Sequence, residues 1–171
     1  MPSTLNLSQL ALMYGTDKLE HGYIPFYEET LPKNPKRILE IGVKEGRSIM
    51  MWQKYFPDAE IHGLDLFEEF PIPNIQGITW HKGNQCDHNI LYNLRQLNFD
   101  VIIDDGSHNS RDQLMTFFGL FNGNPYYIED THCAQEEFYR QGLPSQATVL
   151  NLRLDGAKVL HHLSPICLII C

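Results

Sequence analysis

Two acidic motifs carry the strongest chemical signal in this chain. Asp104-Asp105-Gly106-Ser107-His108 directly follows the apolar run Val101–Ile103, and Glu129-Asp130 directly follows Pro125–Ile128. Each run has the composition of a buried strand. In an open α/β sheet, ligands bind beyond the carboxyl ends of the strands. Four carboxylates converging there would repel one another strongly. A divalent cation removes that repulsion, and all-oxygen donors suit Mg²⁺ or another hard ion. Either pair alone could also be solvated acids opening a loop. Two pairs at neighbouring strand ends, one followed by Gly-Ser-His, favour a site.

A glycine turn lies upstream. Glu40-Ile41-Gly42-Val43-Lys44-Glu45-Gly46-Arg47-Ser48 joins a strand to a helix. Gly42 lets the backbone leave the strand sharply. Gly46 and Ser48 stand where a helix starts with free N–H groups. Asp65 ends the next strand, where an acid can accept hydrogen bonds from both hydroxyls of a ribose. Further on, Gln85 and Asp87 in Gly83-Asn84-Gln85-Cys86-Asp87 could meet an adenine edge. Asp87 also reads as a helix N-cap, and the two roles are compatible. An ordinary strand-to-helix turn remains a fair reading of the glycines alone. Their spacing is G-x-x-x-G, not the G-x-G-x-x-G of dinucleotide sites. Glu40 would be unhelpful beside a pyrophosphate but suits the cationic methionine end of S-adenosylmethionine (SAM). His132 has no assigned role, and His161 and His162 read as structural.

The elements that must position these groups alternate short β-rich runs with longer helical ones, the pattern of a parallel sheet covered on both faces. Helices are expected at Ser8–Tyr14 and Tyr23–Leu31, with Pro32 and Pro35 ending that region. Strands are expected at Arg37–Ile41, Glu60–Leu64, Gly77–His81, Phe99–Ile103 and Pro125–Ile128. Helices are expected between them at Arg47–Tyr55, Asn89–Leu97 and Arg111–Phe121. The runs Lys158–Leu163 and Ile166–Ile170 are separated by Ser164 and Pro165, too short a link for a crossover helix, so an antiparallel hairpin is expected. The expected fold class is therefore α/β: a Rossmann-like class I methyltransferase fold, its mostly parallel sheet ending in that hairpin. One domain is expected over 1–171, with 1–34 a helical cap and 35–171 the core.

Composition narrows the function classes. With 171 residues, 43% hydrophobic, the chain can bury one sizeable core. A net charge of −8 without a basic run argues against gripping a phosphate backbone. The four cysteines, at 86, 133, 167 and 171, form no C-x-x-C pair and read as free thiols. Neither a signal peptide nor an apolar run of the ~20 residues that span a bilayer is visible. A cytoplasmic location, no nucleic-acid partner and no membrane partner are expected.

The segments YGTDK (Tyr14–Lys18) with His21 and Tyr23, then LEIGVKEGRS, GLD, GNQCD, IDDGSH and IEDTH, resemble the metal-dependent sugar O-methyltransferases of the macrocin and mycinamicin type. The resemblance runs over nearly the whole chain. It implies Mg²⁺ ligands at Asp105, Glu129 and Asp130, and a histidine base at His108. It also implies a SAM site that includes Glu40, Gly42, Asp65 and the region of Gln85, Asp87 and Asp104. The segment Gly15–Lys18, with Thr16 and Lys18, corresponds to one that closes over the cofactor. The implied substrate is a hydroxyl of a sugar in a glycan or glycosylated natural product. A homo-oligomer is compatible with it. Three other readings compete: a catechol-type O-methyltransferase, an NAD-dependent sugar-modifying oxidoreductase and a catalytically silent SAM-binding protein. The oxidoreductase lacks a Tyr-x-x-x-Lys pair and leaves the acidic cluster unexplained. Intact His108 and carboxylates argue against the silent protein.

Overall fold

In the computed structural model, the described residues are 5–130, 158–161 and 167–170. His132 and His162, and the side chain of His161, lie outside them. Two helices come first, α1 (Leu7–Tyr14) and α2 (Ile24–Thr30). There follow β1 (Arg37–Ile41), α3 (Arg47–Tyr55), β2 (Glu60–Asp65), β3 (Ile78–Lys82), α4 (His88–Arg95), β4 (Val101–Asp104), α5 (Ser110–Leu120) and β5 (Tyr126–Ile128). Short strands β6 (Lys158–His161) and β7 (Cys167–Ile170) complete the sheet. The strand order is β3-β2-β1-β4-β5-β7-β6. β1 to β5 are mutually parallel, while β7 runs antiparallel to both β5 and β6.

Local chemistry explains the element ends. Asn6 caps α1 in a reciprocal box with Gln9, and Gly15 closes that helix in the left-handed conformation. Asp87 accepts from the N–H groups of Asn89 and Ile90, and Asn109 from that of Arg111, so α4 and α5 also start on side-chain caps. Phe99 was expected inside the fourth strand. It is buried but precedes β4, whose ladder begins at Val101. Asp104 was expected beyond the strand and is its last residue.

Alternation along the strands sorts the core into two layers. Ile38, Ile61, Val101, Ile103 and Tyr127 pack with α1, α2 and α3 on one face. Leu39, Ile41, Leu64, Ile102, Tyr126 and Ile128 pack with α4 and α5 on the other. Helices α1 and α2 thus share a core with the sheet. Leu7, Leu10, Tyr23, Ile24 and Tyr27 are all fully buried.

The chain leaves β1 toward β2 on one side and returns as β4 on the other. That reversal opens a crevice beyond the carboxyl ends of β1 and β4. Gly42 sits there at φ +84°, and a Cβ on it would lie 1.9 Å from the carbonyl oxygen of Asp105. No helix among the described residues is long and apolar enough to cross a membrane.

Two predictions follow from this packing. Gly42→Ala forces a methyl group into the Asp105 backbone at a φ that disfavours side chains. It should destabilise the protein by about 2 kcal/mol or more, measured by denaturant unfolding. On β2 and β3, His62 Nδ1 lies 2.9 Å from His81 Nε2, and the rings stack. Burial, with the nearby His81 and Arg37, pushes the His62 pKa down to about 4. The unfolded chain takes up that proton near pH 6.5, so stability should fall as pH drops from about 6.5 toward 4. Melting curves of His62→Phe should show a shallower loss over that range; an unchanged slope would exclude His62 as the cause.

Candidate active site

One cation gathers the acids at the strand ends. Lys18, on the segment between α1 and α2, is 0% exposed. Its Nζ lies 2.7 Å from Asp105 Oδ2, 2.8 Å from Glu129 Oε2 and 3.1 Å from Glu40 Oε1. Asp105 and Glu129 directly follow β4 and β5, and Glu40 is the penultimate residue of β1. Burial works against the lysine's charge, but the attraction of Asp105, Glu129 and Glu40 overrides it and holds its pKa well above the usual value. Burial likewise holds Glu40 and Glu129 above the ordinary carboxylate range. Glu129 Oε1 accepts from the Tyr27 hydroxyl, so both its oxygens are engaged.

A second group faces the crevice beside this one. Donor atoms of Asp105, His108 and Asp130 lie within 4.8 Å of one another. His108 Nε2 is 3.5 Å from Asp130 Oδ2 and 4.0 Å from Asp105 Oδ1, while its Nδ1 is buried without a hydrogen-bond partner. Both His108 (φ 57°) and Asp130 (φ 52°) adopt left-handed backbone conformations. Non-glycine residues held there cluster at functional sites. Asp130 Oδ1 also accepts from the Tyr23 hydroxyl. Two carboxylates and an imidazole with an unpartnered nitrogen fit a divalent ion. Asp105 belongs to both groups.

A cavity of about 770 Å³ opens over this edge, a size suited to small-molecule ligands. Of the expected cofactor residues, Thr16, Gly42, Ser48, Asp65 and Gln85 line it, as do Asp105, His108 and Asp130. Lys18, Glu40, Gly46, Asp104 and Glu129 are buried and do not line it, and Asp87 is the exposed N-cap of α4, outside the lining. Glu40 accepts from Ser48 Oγ at 2.9 Å. Gly46 is the left-handed N-cap of α3, and a Cβ there would meet Ile75 and Pro73. Asp104 is fully buried, accepts from Tyr126 Oη at 3.1 Å and is pushed up to about 7 by burial. It braces the strand ends. Gln85 links Asp104 and Thr116, and its Oε1 accepts from the N–H of Ser107. Asp65 Oδ2 accepts from the N–H groups of Val43 at 2.7 Å and Lys44 at 2.9 Å, fixing the glycine turn. Its Oδ1 has a single long contact, 3.4 Å from the N–H of Phe67.

Sequence reasoning gave no role to Tyr27 or to any residue of the loop between β2 and β3. Tyr23, the N-cap of α2, and Tyr27 within it lie four residues apart, a spacing that puts them on one side of the helix, and that spacing was a usable signal. Glu68, Glu69 and Phe70 line the cavity without a motif to mark them.

No family model matches the chain. It is 35% identical over 143 residues to an 8-demethyl-8-(2-methoxy-alpha-L-rhamnosyl)-tetracenomycin-C 3'-O-methyltransferase of Streptomyces olivaceus, covering 73% of this chain and 36% of the relative. It is 33% identical over 160 residues to a mycinamicin VI 2''-O-methyltransferase of Micromonospora griseorubida, covering 83% and 39%. The chain thus spans less than half the length of these curated relatives. Its fold matches the MycE methyltransferase of the mycinamycin biosynthetic pathway, solved in complex with Mg and SAH. There the TM-score is 0.74 at 25% identity, over 97% of this chain and 54% of that one.

Proposed function

Starting from this homology with the sugar O-methyltransferases, we propose that the chain forms the catalytic part of a SAM-dependent, Mg²⁺-assisted O-methyltransferase. Its substrate is a sugar hydroxyl on a glycosylated natural product or glycan. The observation that carries the reading is the juxtaposition of Asp105, His108 and Asp130 on the wall of a cavity that the Gly42 turn and Asp65 also line. Residues 1–34 and 35–171 act as one unit, because α1 and α2 share the sheet's core. The parallel strands β1 to β5, with β7 antiparallel beside β5, support the reading as a class I methyltransferase domain.

SAM would sit along the glycine turn, with Asp65 Oδ1 free to receive a ribose hydroxyl and Thr16 and Ser48 at the methionine end. When bound, Mg²⁺ lowers the pKa of the acceptor hydroxyl, and SAM supplies the methyl group. Asp105 and Asp130 would hold the ion. Glu129, the third ligand implied by the resemblance, would join them if it exchanged Lys18 or Tyr27 for the metal. His108 would take the hydroxyl proton as general base. The protein otherwise works by holding two reactants in line.

A second role for His108 has an observation in its favour. Its donor nitrogen lies within the same 4.8 Å group as the two aspartates, so it could instead be a metal ligand. His108→Ala separates the two. As the base, its loss should reduce methyl transfer by about 100-fold or more while SAM and Mg²⁺ binding, measured calorimetrically, persist. As a ligand, its loss weakens Mg²⁺ binding as well. Asp105→Ala should remove both ion binding and activity. Turnover undiminished by that change and by EDTA would refute the metal-dependent reading. Binding of NAD in place of SAM would refute the cofactor.

A further inference from the structure

The mechanism above leaves one buried charged group without a task. The Lys18 ammonium is enclosed by Glu40, Asp105 and Glu129, and no other lysine or arginine lies among the charged partners of those acids in the described residues. It reaches no cavity wall, although Gly15, Thr16 and Asp17 on the same segment do. A cofactor contact is therefore not what its position serves. It touches Asp105, which also belongs to the group with His108 and Asp130. A divalent ion bound by that group would share one carboxylate with the ammonium, at opposite oxygens: Lys18 holds Oδ2, and Oδ1 faces His108.

We infer that Lys18 is the resident counter-cation of the divalent-ion site, a positioning residue that holds Asp105 and Glu129 in place and sets how tightly the ion binds. This rests on the metal-dependent reading above. The ammonium has two opposed effects. It orients Asp105 and keeps the buried Glu40 and Glu129 and the partly buried Asp105 from facing one another, which keeps the site formed without the ion. It also repels a divalent ion drawn to the same carboxylate. Two like-signed centres sharing one carboxylate lie a few ångströms apart in a partly desolvated site, where coulombic effects exceed the benefit of orienting a single side chain. The repulsion therefore dominates the affinity, and orientation dominates the stability of the ion-free protein.

Lys18→Met tests both halves in the full chain. Calorimetric titration with MgCl₂ should show binding about tenfold tighter than in the wild type, or more. Thermal melts in EDTA should show a large loss of stability that Mg²⁺ restores, because removing one partner of a buried ionic cluster leaves uncompensated charge. A lysine that merely fills space would lower the melting temperature equally with and without Mg²⁺ and leave the affinity unchanged. Mg²⁺ affinity equal to or weaker than wild type in a folded Lys18→Met protein overturns the inference. If that variant does not fold in either condition, the paired change Lys18→Met with Glu40→Gln decides. It removes one charge of each sign, so it should fold in EDTA and bind Mg²⁺ at least as tightly as the wild type. Failure of that protein to fold, or weaker binding, equally overturns the inference. A wild-type protein that binds no Mg²⁺ overturns the metal-dependent reading itself; wild-type binding with no gain in the variant overturns this inference alone.

Discussion

The Lys18 ammonium sits within 3.1 Å of carboxylates from three strand ends, and much of the site follows from that contact. Glu40 ends near the glycine turn, Asp105 opens the loop after β4, and Glu129 opens the loop after β5. Two buried acids and a third half-buried beside them cannot all remain anions without a partner, because desolvation and mutual repulsion act in the same direction. The partner comes from the N-terminal segment, which is why α1 and α2 must pack into the core rather than lie over it. Their apolar face positions the lysine, and the lysine in turn fixes the segment whose neighbours form the cavity mouth.

The two adjacent aspartates illustrate how environment divides labour between identical side chains. Asp104, the last residue of β4, shares the face of Ile102 and turns toward Tyr126, Gln85 and α5. It is enclosed completely, and burial raises its pKa to about 7. Asp105 turns the other way, toward Lys18 and the crevice. One carboxyl braces the strand ends and the other presents its charge to Lys18 and the cavity. The period-2 alternation of a strand produces that division.

The loops after β4 and β5 are held tightly where chemistry is concentrated. Gly42 allows the first turn to touch the backbone of Asp105, so the glycine turn and the loop after β4 share a wall of the crevice. His108 and Asp130 both occupy left-handed conformations that cost energy for residues with side chains. Tyr23 bonds to Asp130 and Tyr27 to Glu129, so a single helix face supports the acidic pair after β5.

Most of the fold was legible in the residues, because strand and helix periods leave local marks. The apolar runs before Asp104 and Glu129 located two strand ends, and the parallel order then brought both acidic pairs to one edge. The glycine turn and Asp65 were legible for the same reason. What sequence by itself determined is therefore the type of fold, the edge at which the acidic groups and the cavity meet, and the residue types assembled there. Only the tertiary structure decided which carboxylate meets which partner. The bonds from Lys18 to Asp105 and Glu129 span 87 and 111 positions, and no local pattern encodes a pairing across that distance. It arises because the packing of α1 and α2 carries the lysine beneath the ends of β1, β4 and β5, where burial leaves its charge no other partners.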